Sequence, residues 1–316
     1  MVKLPACRQA GYTRTISPLR QAQSRKMRGR HVNFYGDVAK LVDALGLGPS
    51  AARLESSSLS VPIINYFMKE KISLEKHEQE PRRTEVVVDF IRHGKSAYSE
   101  QGRDLTPEGE KQVVASAKEI IEKINPAKEM VVLLSSPAAR AKGSAEIITG
   151  LMEEKGIEIY KRGVVSSMRN FDQKDNKYLE ELWQDAEKAG VSADFIYAKH
   201  PKYQDKNEKF ETQGEVRKRA GRVFNWIRYL AEHVKKTDKT IHIIGVSHFE
   251  FLNPIMEDLF DYKVEEGKGI SYGEDLKIRF DYNKDLKKLD ISAEFRGQKK
   301  ENIIFDKKTR RFIIEK

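Results

Sequence analysis

Across 316 residues the chain is 39% apolar and 34% charged, with a formal net charge of +10 and one cysteine, Cys7. That length allows one large domain or two small ones, a lone cysteine excludes an internal disulfide framework, and no run approaches the roughly 18 apolar residues of a membrane span. The net charge invites a nucleic-acid reading, but its location argues against one: residues 1–67 carry ten Lys/Arg against three Asp/Glu, and the rest of the chain is nearly balanced, 48 against 45.

In chain order, residues 1–67 come first and look unlike the remainder. They lack a sustained helix or strand period and the apolar core of a secretory signal. Two expectations fit them, a disordered basic arm and a spurious extension. The second rests on Gly36–Pro62, which resembles the conceptual translation of a leucine transfer-RNA gene: Leu41–Ala44 can be encoded by a D-arm-like sequence, and Val61–Pro62 by one ending in CCA. On that reading the native start lies near Met68, and any native peptide from residues 1–60 found by mass spectrometry would exclude it.

Residues 68–84 form a charged lead-in. Glu85–Ile91 is a Val-rich run that predicts a buried strand. A polar loop, Arg92–Arg103, leads to Thr106-Pro107-Glu108, which opens a helix with an N-cap, a proline and an acid in order. Met130–Leu134 predicts a second buried strand, Ala141–Lys155 a helix and Ile157–Tyr160 a third strand. Helices are expected over Lys177–Ala189 and Gln213–Lys235, a buried strand over Thr240–Gly245 and a helix over Pro254–Phe260. From Ile270 onward the pattern alternates, predicting strands at Leu276–Tyr282, Leu289–Phe295, Asn302–Phe305 and Arg311–Ile314, with a hairpin turn at Asp306–Thr309. Strands alternating with helices predict an α/β sheet, parallel in part, with the tail adding antiparallel strands at an edge.

In such sheets ligands bind beyond the carboxyl ends of the strands. Three buried strands here end in residues suited to phosphate: Arg92-His93-Gly94, Ser135-Ser136-Pro137 with Arg140 following, and Ser247-His248. A phosphoryl group carries about two negative charges near neutral pH. Arginine meets it with a planar fork that keeps its charge, and a neutral imidazole nitrogen can attack phosphorus to give a phosphohistidine. Gly94 is expected to let backbone approach the ligand.

Arg92–Gln112 (RHGKSAYSEQGRDLTPEGEKQ) resembles the opening of the histidine phosphatase superfamily, which includes cofactor-dependent phosphoglycerate mutases and many phosphatases. Ser135–Ala145 (SSPAARAKGSA) resembles the family's Ser-Ser-Pro-x-x-Arg-Ala stretch, Ser247-His248 its late Ser-His, and Glu211-Thr212 with Glu215 and Arg219 the start of its long helix. The resemblance covers roughly residues 85–285. It implies a three-layer α/β/α fold of the phosphoglycerate mutase kind with a mostly parallel central sheet and C-terminal antiparallel strands, and residues 85–316 as the catalytic domain. It also implies His93 as nucleophile, with Arg92, Gly94, Arg140 and His248 binding phosphate.

Two departures stand out. Many members carry Leu-Arg-Glu, whose Glu protonates the leaving group; the counterpart here is Met168-Arg169-Asn170. Asp172, Asp175 and Glu250 are the substitutes on offer, Glu250 and Asp172 foremost. Phe249 replaces the usual Gly after the late His and is expected to narrow the pocket. The expected activity is phosphatase hydrolysis of a phosphomonoester or phosphohistidine, with alternatives of a mutase-type phosphotransferase or a catalytically weak phosphate-binding protein. The expected partner is a phosphorylated small molecule or phosphoprotein substrate in the cytoplasm. No cofactor, metal or membrane partner is expected, and His200, His233 and His242 are read as structural or surface. Phe171–Lys209, with Lys174, Lys177, Lys199, Lys202 and Lys206, is expected to cap the pocket, and Trp183 and Trp226 to be core.

Overall fold

A computed structural model describes residues 83–97, 105–171, 176–203, 211–234, 239–262 and 269–315. The N-terminal 1–67 segment, the lead-in up to residue 82, Asp172 and Asp175 lie outside the described residues.

Seven strands form one sheet in the order β3-β2-β4-β1-β5-β6-β7. They are β1 (Arg83–Arg92), β2 (Glu129–Ser135), β3 (Ile159–Val164), β4 (Thr240–Ser247), β5 (Asp275–Asn283), β6 (Lys288–Phe295) and β7 (Gln298–Lys300). The first four run parallel, and β5 to β7 extend the sheet antiparallel from β1. The two central strands are buried over nearly their whole length, as their near-continuous apolar runs require. β3 alternates half-buried and exposed residues and lies at the edge, shifted two residues toward the C-terminus from the predicted start.

Helices cover both faces. On one side lie α1 (Pro107–Lys123) and α2 (Ala139–Glu154), whose Val113, Ala117, Ile120 and Ile148 pack against Ile91, Leu133, Ile244 and Val246. On the other lie α5 (Gln213–His233) and α6 (Phe249–Phe260), where Val223, Phe224, Ile227 and Phe251 meet Val88, Phe90, Ile243 and Phe280. The caps follow the sequence signals. Thr106 Oγ1 accepts from Gly109 N at 3.0 Å, and Thr212 with Glu215 closes a full capping box on α5. Helix α6 begins five residues earlier than predicted and carries Pro254 inside it. No helix among the described residues is long and apolar enough to cross a membrane.

The tail does two things where one was expected. β5 to β7 add to the sheet edge, but β8 (Ile303–Asp306) and β9 (Arg311–Ile314) form a separate antiparallel hairpin. Its Phe305 and Phe312 pack against Phe224 of α5, with Phe312 edge-on at 4.9 Å, so an aromatic anchor draws the hairpin off the sheet and onto the helices. Between β3 and α5 lie α3 (Asn176–Ala189) and the unpredicted α4 (Ala193–Lys199), which build a small core from Phe171, Tyr178, Leu182, Tyr197 and Tyr203. Trp183 stands outside that core at 46% exposure, contrary to expectation; Tyr178, Leu182 and Ala186 supply the inward face instead. Trp226 packs half-buried against the main core.

Candidate active site

Parallel register brings the three strand ends level. Arg92 pairs with Ser247 and Ser135 with Val246. The ladder runs one step further, His93 N donating to Ser247 O at 3.0 Å and Ser136 N to Val246 O at 2.9 Å. The side chains of His93, His248 and Ser136 therefore emerge together, and Arg140 reaches them from the first turn of α2. All of them are buried, as is Arg92. The two imidazole centroids lie 4.9 Å apart, nearly edge to face.

Arg140 links the rings. Its Nε donates to His93 Nε2 at 2.8 Å, and its Nη2 lies 3.1 Å from His248 Nδ1. A guanidinium only donates, so both ring nitrogens facing it carry lone pairs. The opposite nitrogens follow. His93 Nδ1 donates to Gly94 O at 2.8 Å, and His248 Nε2 donates to Ser136 Oγ at 2.6 Å. Thus His93 presents Nε2 and His248 presents Nδ1 to one point. Burial, then the charges of His93, Arg140, Arg92 and Arg219, hold the His248 pKa well below the usual imidazole range.

Arg92 is fixed by stacking. Its guanidinium carbon sits 3.9 Å from the ring centre of Tyr272 and 5.1 Å from that of Phe249, and its Nη1 donates to Ile270 O at 2.8 Å. Phe249, which replaces the usual Gly, is thus one of the two rings that hold Arg92. Its ring turns beneath Arg92 and against Gly269, where any Cβ would strike it. Gly94 has a packing role as well. Its amide donates to Ser144 Oγ at 3.3 Å, and a Cβ there would overlap the backbone of Gly109. The glycine therefore permits the close seating of α1 against the Arg-His-Gly loop.

The segment carrying Asn170 is held by Arg219, which spends all five N–H groups. Its Nε and Nη2 clasp Glu211 at 2.9 and 2.8 Å, and its remaining protons reach the carbonyls of Ser167, Arg169 and Asn170 at 2.6, 2.9 and 2.9 Å. Ser247 Oγ joins the same segment by donating to Met168 O at 2.7 Å. Glu250 is buried in the first turn of α6. It bears on Tyr197 of α4, whose hydroxyl pKa is raised by burial and then by Glu250 and Glu211. Lys202, one of the lysines of the expected cap, is bound to Glu181 and Asp185, both at 3.1 Å, and pins the small α3–α4 core. Lys177 and Lys199 are exposed, and Lys174 and Lys206 lie outside the described residues.

Deeper in the sheet His242 sits between two carboxylates, with Nε2 2.5 Å from Asp89 Oδ2 and Nδ1 2.6 Å from Glu129 Oε2. Lys277 adds its ammonium 3.3 Å from Asp89 Oδ1. Burial alone would push the His242 pKa down; the two carboxylates outweigh it and raise it. Neither this chain of charges nor the roles of Ser136 and Tyr272 emerged from the sequence reading. Ser136 lay within a motif already noted, whereas nothing near Tyr272 in the sequence distinguished it.

No curated protein matches the chain. Solved structures similar to it include a mycobacterial glucosyl-3-phosphoglycerate phosphatase, at 16% identity over 68% of this chain and 99% of that one, TM-score 0.44. A second is the protein histidine phosphatase SixA complexed with tungstate, at 13% identity over 68% and 96%, TM-score 0.32. A phosphoserine phosphatase from Entamoeba histolytica matches at 16% identity over 62% and 90%, TM-score 0.37. At such identities and scores these likenesses carry no argument about chemistry. The sequence model of the histidine phosphatase superfamily (branch 1) matches residues 88–289, well over half the chain and spanning all three strand ends, and the protein belongs to that superfamily.

Proposed function

We propose that the protein is a phosphatase that passes a phosphoryl group through His93 Nε2 to water. The observation that carries this reading is the Arg140 guanidinium set between His93 Nε2 and His248 Nδ1, with Arg92 beside them, in a buried site. A fork within hydrogen-bond reach of both imidazoles is placed to turn onto the oxygens of an arriving phosphoryl group. That turn uncovers the Nε2 lone pair.

In the first step Nε2 forms the N–P bond as the bond from phosphorus to the leaving atom breaks. In the second, water attacks phosphorus, the N–P bond breaks and inorganic phosphate departs, the water proton passing to solvent. Gly94 O holds the Nδ1 proton throughout. Arg92, held by two rings and the Ile270 carbonyl, offers pre-positioned charge as negative charge spreads over the phosphoryl oxygens.

The leaving atom also needs a proton, and His248, kept neutral, is poorly suited to give one. Glu250 is the candidate acid among the described residues. With Asn170 in place of a carboxyl, the preferred substrates are those whose leaving groups depart readily, such as a phosphohistidine or an acyl phosphate. Hydrolysis of a graded series of phosphorylated compounds by wild type and His93→Ala tests the reading. Turnover should be confined to wild type and should rise steeply as the leaving group becomes more acidic. Equal turnover by both proteins would end it.

A further inference from the structure

Tyr272 sits in the turn between α6 and β5, outside every motif that relates the chain to its family. Its ring lies 3.9 Å from the Arg92 guanidinium carbon and its centroid 5.6 Å from that of His93. The site is otherwise closed in: His93 is 5% exposed, Arg140 7% and His248 0%, whereas Tyr272 is 37% exposed. It touches the Arg92-His93 pair and also stands open to solvent.

We infer that Tyr272 is a specificity-determining residue of this site, and that it selects a phosphoryl group borne on a planar ring. The ring is joined through oxygen, as in an aryl phosphate, or through nitrogen, as in a phosphoimidazole. The inference rests on the proposed anion site at His93, and only on that half of the reading. In-line displacement puts the leaving group on the side of phosphorus away from His93. Buried side chains close the inner side, so the leaving group lies toward solvent, along the wall Tyr272 forms.

An aromatic wall favours a flat π-bearing group over an alkyl chain by ring-on-ring contact. This wall is also held in advance. One side of the ring is engaged by Arg92, and the turn is tied down on both flanks: Gly273 N donates to Arg92 O, Arg92 N donates to Glu274 O, and Arg92 Nη1 donates to Ile270 O, at 2.9, 2.9 and 2.8 Å. A ring already ordered loses little freedom on stacking a ligand.

Calorimetric titration of the full chain with phenylphosphonate and methylphosphonate, neither hydrolysable, tests this without depending on turnover. Wild type should bind the phenyl compound roughly two- to tenfold more tightly, the range expected of one aromatic pair. Tyr272→Phe should keep that ratio, and Tyr272→Ala should bring it close to one. No preference in wild type, or an unchanged ratio in Tyr272→Ala, overturns the inference. A uniform loss for both ligands with the ratio intact overturns it too, because Tyr272 would then act only by steadying Arg92. If wild type binds neither phosphonate, the anion site itself is wrong and the inference falls with it. If both bind but no phosphate ester is turned over, the phosphatase reading fails while the wall stands. Turnover of phenyl phosphate and of N-phosphoimidazole by the same variants then identifies the source: the substrate that suffers the larger loss in Tyr272→Ala is the one the ring selects.

Discussion

Arg140 Nε donates to His93 Nε2 at 2.8 Å, so the nitrogen assigned to attack phosphorus is covered by the side chain assigned to bind it. Phosphate and imidazole then compete for one guanidinium. Adding inorganic phosphate should shift the ring-nitrogen resonances of both His93 and His248, and Arg140→Gln should show neither the coupled shift nor tight anion binding. Removing a charged donor of this kind costs about 10²–10³-fold in rate. Activity of Arg140→Gln within a fewfold of wild type would contradict the assignment.

Ser136 fixes the other ring. With Ser136→Ala, the buried His248 Nε2–H loses the oxygen 2.6 Å away, at a cost of about 1–3 kcal/mol in stability. The ring is also freed to turn, so turnover should fall further than melting behaviour explains. Ser136→Cys, which keeps a weak acceptor, should recover part of both. Unaltered kinetics in a folded Ser136→Ala would show that the tautomer is set elsewhere.

The two buried histidines give opposite pH limbs. His242 has a raised pKa, so its contribution is complete below about pH 6.5 and is lost as pH rises through the higher folded value. His248 has a lowered pKa, so stability falls as pH drops below about 6.5, where the unfolded chain takes up the proton. Asp275, pushed up to about 6 by burial and then by Asp89, opposes the His248 effect between roughly pH 4 and 6. Chemical denaturation across pH should therefore show His242→Gln flattening the alkaline limb and His248→Gln the acid one.

Glu250→Gln separates proton donation from phosphate binding. It should slow substrates with poor leaving groups about 10²–10⁴-fold and leave good ones nearly untouched. Equal slowing across a leaving-group series would remove Glu250 as the acid.

Gly94→Ala tests the seating of α1. The added methyl meets the Gly109 backbone, and overpacking of this kind costs about 1–3 kcal/mol. Thermal melts should show that loss whether or not phosphate is present; a loss confined to phosphate affinity would contradict the packing role.

What the sequence revealed, and what it hid, follows from the range of each signal. Buried strands and capped helices are local: the Val-rich run of β1 and Thr106-Pro107-Glu108 announce themselves within a few residues. The candidate cluster was legible because its members end a buried strand or, like Arg140, follow one closely, and parallel pairing of neighbours aligns strand ends. Asp89, Glu129 and His242 became one charged chain only through the register of three strands, which no single segment encodes. The packing of Phe249 under Arg92 was hidden because Gly269, which makes room for its ring, is remote in sequence. The β8–β9 hairpin kept the period of sheet strands while its aromatic residues answered to α5.

The central claim is that His93 Nε2 carries the phosphoryl group, and rapid acid-free quenching followed by peptide mass spectrometry measures it most directly. During turnover of a good substrate, a phosphoryl adduct should appear on His93, be stable in base and labile in acid, and vanish in His93→Ala along with activity. Steady hydrolysis with no adduct on His93, or with the adduct on another residue, would contradict the account.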